Sequence, residues 1–88
     1  MLKSTAKQVN LLKVFGNYER LKLLCCLVKP HSVTELLSKC TLSQSALSQH
    51  LKVLKKANLV TCLREGKNRI YSVSDTRMLA VAKLLLEH

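Results

Sequence analysis

Apolar residues recur at helical spacing along most of the chain, and the interruptions mark its turns. This pattern predicts five helices, at about 5–15, 18–28, 33–40, 44–56 and 75–85. Pro30 is expected to end the second helix, because the residue before a proline is pushed out of the helical region. On the first helix Val9, Leu12 and Phe15 share one face.

Local capping signals sharpen the third and fourth helices. Ser32 and Glu35 have the spacing of a capping box, in which a serine and a glutamate satisfy amides at a helix start. Ser43 is expected to cap the fourth helix, and Asn58 can adopt the left-handed conformation that ends it. The segment 32–56 therefore predicts two short helices joined by a tight turn.

After the fourth helix the pattern changes to short apolar, β-branched runs. Two such runs, at 59–64 and 69–73, flank the turn Glu65-Gly66-Lys67-Asn68, which has the composition of a hairpin. The last helix, opened by Ser74 and Asp75, is apolar almost all round, which favours a dimer interface.

The predicted fold is mainly α with a β-hairpin wing, in the order α-α-α-α-β-β-α. One winged helix-turn-helix domain spans 1–85, with the helix-turn-helix at about 32–56 and the wing at about 59–73. Residues 86–88 are similar to the start of a histidine-tag linker and are interpreted as a tag remnant.

The fourth helix has two faces of opposite chemistry. Leu47, Leu51 and Leu54 form an apolar stripe. The remaining face carries hydrogen-bonding and positively charged side chains and no carboxylate: Gln44, Ser45, Ser48, Gln49, Lys52 and Lys55. Such a face suits an anion that also presents hydrogen-bonding edges, as the major groove of DNA does.

Composition favours the same kind of partner. The 88 residues carry a formal net charge of +10, which attracts polyanions. Aromatic residues are too few for a platform that stacks single-stranded bases. No apolar run is long enough to span a membrane and no secretory signal is visible, so a cytoplasmic protein with reduced cysteines and no membrane association is expected.

Four stretches, at 20–25, 43–54, 58–60 and 64–71, together resemble the ArsR/SmtB family of bacterial winged-helix repressors. The run SQSALSQHLKVL at 43–54 is the most specific part, and it is most similar to the non-metal, HlyU/BigR/SqrR-like branch. The resemblance implies a homodimer, joined through the first and last helices, that binds operator sites on double-stranded DNA. It also implies a transcriptional regulator, in most relatives a repressor.

The expected DNA-binding residues lie on the fourth helix and the wing: Ser43, Gln44, Ser45, Ser48, Gln49, His50, Lys52, Arg64, Lys67 and Arg69. Gln44 and Gln49 can give paired hydrogen bonds to adenine. Ser43 could instead be only a helix cap, and the wing charges only a solvated surface. For His50, packing against the third helix is favoured over a DNA contact.

The sensing elements of many relatives are altered in this chain. Ser32-Val33-Thr34 occupies the position of a metal-binding Cys-x-Cys, and Asp75 lacks the histidine that completes a second family metal site. No metal and no other cofactor are therefore expected. Cys25 matches one cysteine of a redox pair found in the non-metal branch, but its partner near the C-terminus has no counterpart, so Cys25 is either a redox residue or simply core.

Two functional classes other than DNA binding are a protein-interaction module and an enzyme. A winged-helix module that binds another protein, or an antagonist without its own operator, is the alternative, although the dense positive charge argues against it. An enzyme is not expected, because the sequence shows no carboxylate pair, no nucleophile with an evident base and no phosphate-binding glycine loop.

Overall fold

A computed structural model describes residues 5–87, so the predictions that involve residues 1–4 and His88 lie outside the described part. The elements, in chain order, are α1 Ala6–Phe15, α2 Tyr18–Cys26, β1 His31–Ser32, α3 Val33–Lys39, α4 Gln44–Lys56, β2 Val60–Glu65, β3 Asn68–Val73 and α5 Arg77–Leu86. The helices pack around a leucine-rich core and the strands form an antiparallel sheet in the order β1-β3-β2. The winged helix-turn-helix fold is thereby confirmed.

The predicted caps are present. The Ser32 hydroxyl accepts from the Glu35 amide at 3.1 Å, and the Glu35 carboxylate accepts from the Ser32 amide at 2.9 Å. The backbone amide of Ser32, and after it the Ser32 side chain, favour the ionised carboxylate and lower the pKa of Glu35. Ser43 accepts from the Ala46 amide at 3.1 Å, and Asn58 has φ of 60° after α4.

The hairpin also follows the prediction closely. Glu65 pairs with Asn68, so the connection between β2 and β3 has only two residues. Gly66 within it has φ of 59°, a conformation that glycine adopts without the steric cost of a Cβ.

The sequence pattern missed one strand. His31 and Ser32 pair with Tyr71 and Ile70 of β3, so the sheet has three strands and the element order gains a strand before α3. Two residues are too few for a periodic pattern, and their partners lie about forty positions away, which explains the omission.

Two helix boundaries were predicted wrongly. Helix α2 ends at Cys26, before Val28, because the Leu27 carbonyl accepts a hydrogen bond from the Val73 amide at 2.9 Å. Helix α5 begins at Arg77 instead of directly after Ser74 and Asp75. The Ser74 amide donates to the Leu59 carbonyl at 2.9 Å, which ties residue 74 to the connection between α4 and β2.

The face of α1 that carries Val9, Leu12 and Phe15 is only partly covered, since Phe15 packs against the core and the other two are exposed. Val9 and Leu12 are 41% and 69% exposed, whereas Val14 is fully buried and Leu11 packs against the core. Helix α1 carries two apolar stripes, and only packing against α2 and α4 determines which one faces inward. At the other terminus Leu86 packs against the core, and the interpretation of 86–88 as a tag remnant stays a prediction.

Candidate nucleic-acid interface

The start of α4 is built to face an anion. Its first turn contains no acidic residue, so the partial positive charge of the helix N-terminus is not neutralised by a neighbouring carboxylate. Leu47, Leu51 and Leu54 are at most 2% exposed and fix the helix on the core. The polar side chains of the opposite face therefore project outward from a rigid support.

A groove of about 680 Å³ separates α4 and α3 from the wing. Four cationic side chains line it: Lys52, Lys55, Lys67 and Arg69. Polar, uncharged side chains line it as well: Thr34, Gln44, Ser48 and Asn68. A concave surface with charges of one sign raises the local concentration of an oppositely charged partner, so the groove suits a polyanion.

One face of β3 is buried against the core at its base and becomes exposed and positively charged toward the wing turn. Tyr71 of β3 is buried on the core, and Arg69, two residues nearer the turn and on the same face, is exposed. Arg69 pairs directly with Arg64 across the hairpin. Like charges in this position destabilise a hairpin, so the pair is better explained by an external anion than by stability of the sheet.

The predicted contact residues separate into three groups. Gln44, Ser48, Lys52, Lys67 and Arg69 line the groove together. Ser43, Ser45 and Gln49 are exposed at or near the start of α4, and Arg64 is exposed beside Arg69; none of these four lines the groove. His50 is set apart from all of them.

His50 is half-buried, and the charged groups that act on it, Arg20 and Glu19, lie on α2. Desolvation lowers the pKa of His50, the nearby Arg20 lowers it further, and Glu19 opposes both. The Nε atom of Arg20 is itself buried without a hydrogen-bond partner among the described residues. This environment supports a packing role for His50 at the α2–α4 contact.

The shift at His50 predicts how stability depends on pH. The unfolded chain binds a proton at about pH 6.5 and the folded chain only at lower pH, so acidification favours unfolding. The free energy of unfolding should be highest above about pH 6.5 and fall as the pH decreases from there toward 5. Urea denaturation across this range measures the decrease, which should be smaller in His50→Gln; an identical decrease in that variant would contradict the assignment.

Besides its apolar residues and Tyr71, the groove is lined by three hydrophilic residues that were not among the predicted contacts: Lys55, Thr34 and Asn68. Lys55 was assigned to the polar face of α4 but not to the site, although its side chain lines the groove. Thr34 was considered only as a replacement for a metal ligand, and Asn68 only as a turn residue. Their polar character was visible in the sequence, but their common location depends on how α3 and the wing pack.

The possible sensing residues have specific structural environments. Ser32 caps α3, and Asp75 accepts hydrogen bonds from the backbone and the guanidinium of Arg77 at 2.8–3.0 Å. Within residues 5–87 no three histidine, cysteine or acidic side chains are placed to hold one metal ion. Burial raises the pKa of the Cys25 thiol, with Lys83 opposing it, and fewer thiolates mean a less reactive cysteine.

None of the helices in the described part of the chain combines the length and apolar character required to cross a bilayer.

Comparison with known proteins agrees with this geometry. The sequence profile described as "Bacterial regulatory protein, arsR family" matches residues 19–61, from α2 into β2. The transcriptional activator HlyU of Vibrio cholerae is 45% identical over 86 residues, which cover 97% of this chain and 80% of that protein.

Solved structures extend the likeness to the whole fold. NolR from Sinorhizobium fredii is 33% identical, with a TM-score of 0.79 over 99% of this chain and 95% of that one. The transcriptional repressor BigR from Xylella fastidiosa is 32% identical, with a TM-score of 0.78 over 90% of this chain and 82% of that one. The profile, the relatives and the winged helix-turn-helix geometry together show that the chain belongs to the ArsR family of bacterial transcriptional regulators.

Proposed function

We propose that this protein is a cytoplasmic, sequence-specific DNA-binding repressor that acts as a homodimer. Helix α4 enters the major groove, and the wing contacts the flanking backbone or minor groove. The observation that carries the proposal is the groove in which the polar face of α4 and four cations from two elements converge. With 13 residues, α4 is about 20 Å long, which allows its first turns to reach base edges while its last turns stay on the core.

Within this proposal the contact residues have different roles. Gln44 and Gln49 read adenine, and Ser45 and Ser48 accept or donate to several bases. Ser43 and the free amides at the helix start hold a phosphate, together with Lys52. Arg64, Lys67 and Arg69 hold phosphates on the flanking turn of the duplex. His50 supports the helix from the α2 side, and contacts no DNA.

The dimer follows from apolar side chains that the monomer leaves exposed. Val9 and Leu12 on α1 and Val81, Leu84 and Leu85 on α5 are between 41% and 69% exposed. Both helices pack against α2, and Leu11 of α1 and Met78 of α5 line one small cavity. A second copy is the occupant that we propose for this surface, because operator reading by a small domain requires two half-sites.

Salt dependence tests whether the groove binds DNA. The operator is first identified among genomic DNA fragments that the protein retains at low salt. Fluorescence anisotropy then measures the affinity for this operator at increasing salt concentration. Lys67→Gln should reduce the slope of log affinity against log salt by about 1 per protomer, equally for operator and random duplex. Lys29→Gln removes an exposed charge outside the groove and should leave the slope unchanged. If no duplex binds at low salt, the protein-interaction alternative is favoured instead.

Gln49→Ala tests base reading separately from charge. The variant should weaken operator binding by roughly 10- to 100-fold and leave binding to random duplex nearly unchanged, because a paired hydrogen bond to adenine is lost and no charge is removed. Both affinities are measured by anisotropy at the same salt concentration. Equal weakening of both would show that Gln49 does not read bases.

The sign of regulation needs a cellular measurement. A reporter under a bound promoter should be expressed more strongly when the gene is deleted and less when it is restored. The relatives include one named as an activator and one named as a repressor, so lower expression after deletion would overturn repression while leaving DNA binding intact.

A further inference from the structure

A second cavity, of about 290 Å³, lies between α2, α3 and the turn that leads into α4. It shares no lining residue with the groove between α4 and the wing. Three leucines form its apolar part: Leu23 and Leu36, which are 7% and 2% exposed, and the half-buried Leu42. The half-buried Cys26 and Cys40 also line it. The interior therefore suits an apolar group.

Besides its apolar residues, the cavity is lined by charged side chains. Lys22, Lys39 and Glu19 line it, which gives two ammonium groups and one carboxylate. Lys22 lies 4.0 Å from the Glu19 carboxylate and 5.1 Å from the centre of the Tyr18 ring. Among these three, Glu19 is offset by Lys22, and the ammonium of Lys39 remains as the net positive charge. Glu35, which does not line the cavity, also interacts electrostatically with Lys39.

Lys39 is held in place by a histidine that the sequence did not single out. His31 is 8% exposed, and its Nδ1 lies 2.7 Å from the Lys29 carbonyl oxygen, which can only accept. Nδ1 therefore donates, and Nε2 accepts from the Lys39 Nζ at 2.9 Å. One of the three ammonium protons is used in this way, and two remain for a ligand. A cation that is already fixed loses less conformational entropy on binding.

We propose that this cavity binds a small organic anion with an apolar body, of the class of a medium-chain carboxylate. The carboxylate would lie at Lys39 and Lys22, and the apolar body would contact the leucines and the two cysteines. A divalent metal does not suit the cavity, since within residues 5–87 no set of three ligating side chains is assembled. The anion site stands independently of DNA binding.

The position of the cavity gives a ligand access to the DNA-facing helix. Thr41 and Leu42 line the cavity, and Leu42 directly precedes Ser43, the cap of α4. A ligand bound in the cavity would contact this turn and could therefore change the position of α4 relative to α3. This consequence, unlike the site itself, rests on the proposed function.

Binding is tested without DNA, so its failure is distinguishable from failure of the proposed regulator. Isothermal titration calorimetry with sodium octanoate, below its micellar concentration, should show saturable binding, and octanol should bind at least tenfold more weakly. Lys39→Gln should weaken octanoate binding by roughly tenfold or more, because a charge-assisted hydrogen bond is lost. Lys13→Gln changes an exposed lysine on α1, outside the cavity, and this variant should bind as the wild type does. Equal binding of acid and alcohol, or unchanged affinity in Lys39→Gln, would overturn the proposal.

The cysteines provide a second readout within the same protein. Octanoate should slow the reaction of Cys40 with a maleimide and leave the rate at Cys62, on the wing, unchanged. Mass spectrometry separates the two, because trypsin places them on different peptides. Equal slowing at both cysteines, or none at Cys40, would place the ligand elsewhere and contradict the assignment of the cavity.

Discussion

Leu84→Glu should convert the homodimer to monomers and lower operator affinity by about two orders of magnitude or more. Leu84 is 61% exposed on α5 and belongs to the apolar surface that we assign to the dimer. A glutamate there would be buried without a partner, which is strongly destabilising for an interface. A dimer that binds both half-sites of one operator has a much higher affinity than a monomer that binds one half-site. Loss of the dimer therefore also lowers operator affinity.

Sedimentation equilibrium measures the mass, and anisotropy measures operator affinity at fixed salt. Leu63→Glu is the matched control for mass, because Leu63 is 65% exposed on the wing and lies outside the α1 and α5 surface. The control should sediment as the wild type does. A dimeric Leu84→Glu variant, or a monomeric wild type, would contradict the proposed interface.

Leu47→Ala should lower the free energy of unfolding by about 3 kcal/mol, within the range measured for buried leucines truncated to alanine. Leu47 is fully buried and lies on the helix that carries the proposed reading residues. A domain of this size has a total stability of roughly 5–10 kcal/mol, so a large part of it would be lost. The cost combines lost burial of apolar surface with the cavity that remains.

Urea denaturation followed by circular dichroism, at one protomer concentration, measures this change. Leu63→Ala removes the same atoms from an exposed position and should change stability by less than about 0.5 kcal/mol. A loss below about 1 kcal/mol in Leu47→Ala would show that the surrounding core collapses into the space. That outcome would contradict the tight packing described for α4.

Much of the candidate site could be predicted because its elements are specified locally. The cap at Ser43, the outward polar face of α4 and the wing turn at Gly66 each depend on residues within a few positions. Their combination predicted a helix-turn-helix followed by a basic wing, and family membership is now shown by comparison. The individual contacts in the interface remain predictions.

The parts of the site that were missed depend on distant segments. Thr34 and Asn68 line the same groove only because α3 and the wing turn face each other in the fold. The charged groups that act on His50, Arg20 and Glu19, lie on α2, far from it in the sequence. Periodicity states which face of a helix is turned inward, but not which element covers it.

The sequence by itself determined the capped starts of α3 and α4, the hairpin with its two-residue turn, and the polar face presented by α4. These features arise from hydrogen bonds and sterics within about four residues, which any folded context preserves. Only the tertiary structure decided which stripe of α1 is buried, that His31 pairs with Tyr71 on β3, and that Lys39 is held beside a cavity. Those outcomes depend on contacts between segments that are far apart in the chain. Burial and strand pairing of one element there depend on how the other elements pack.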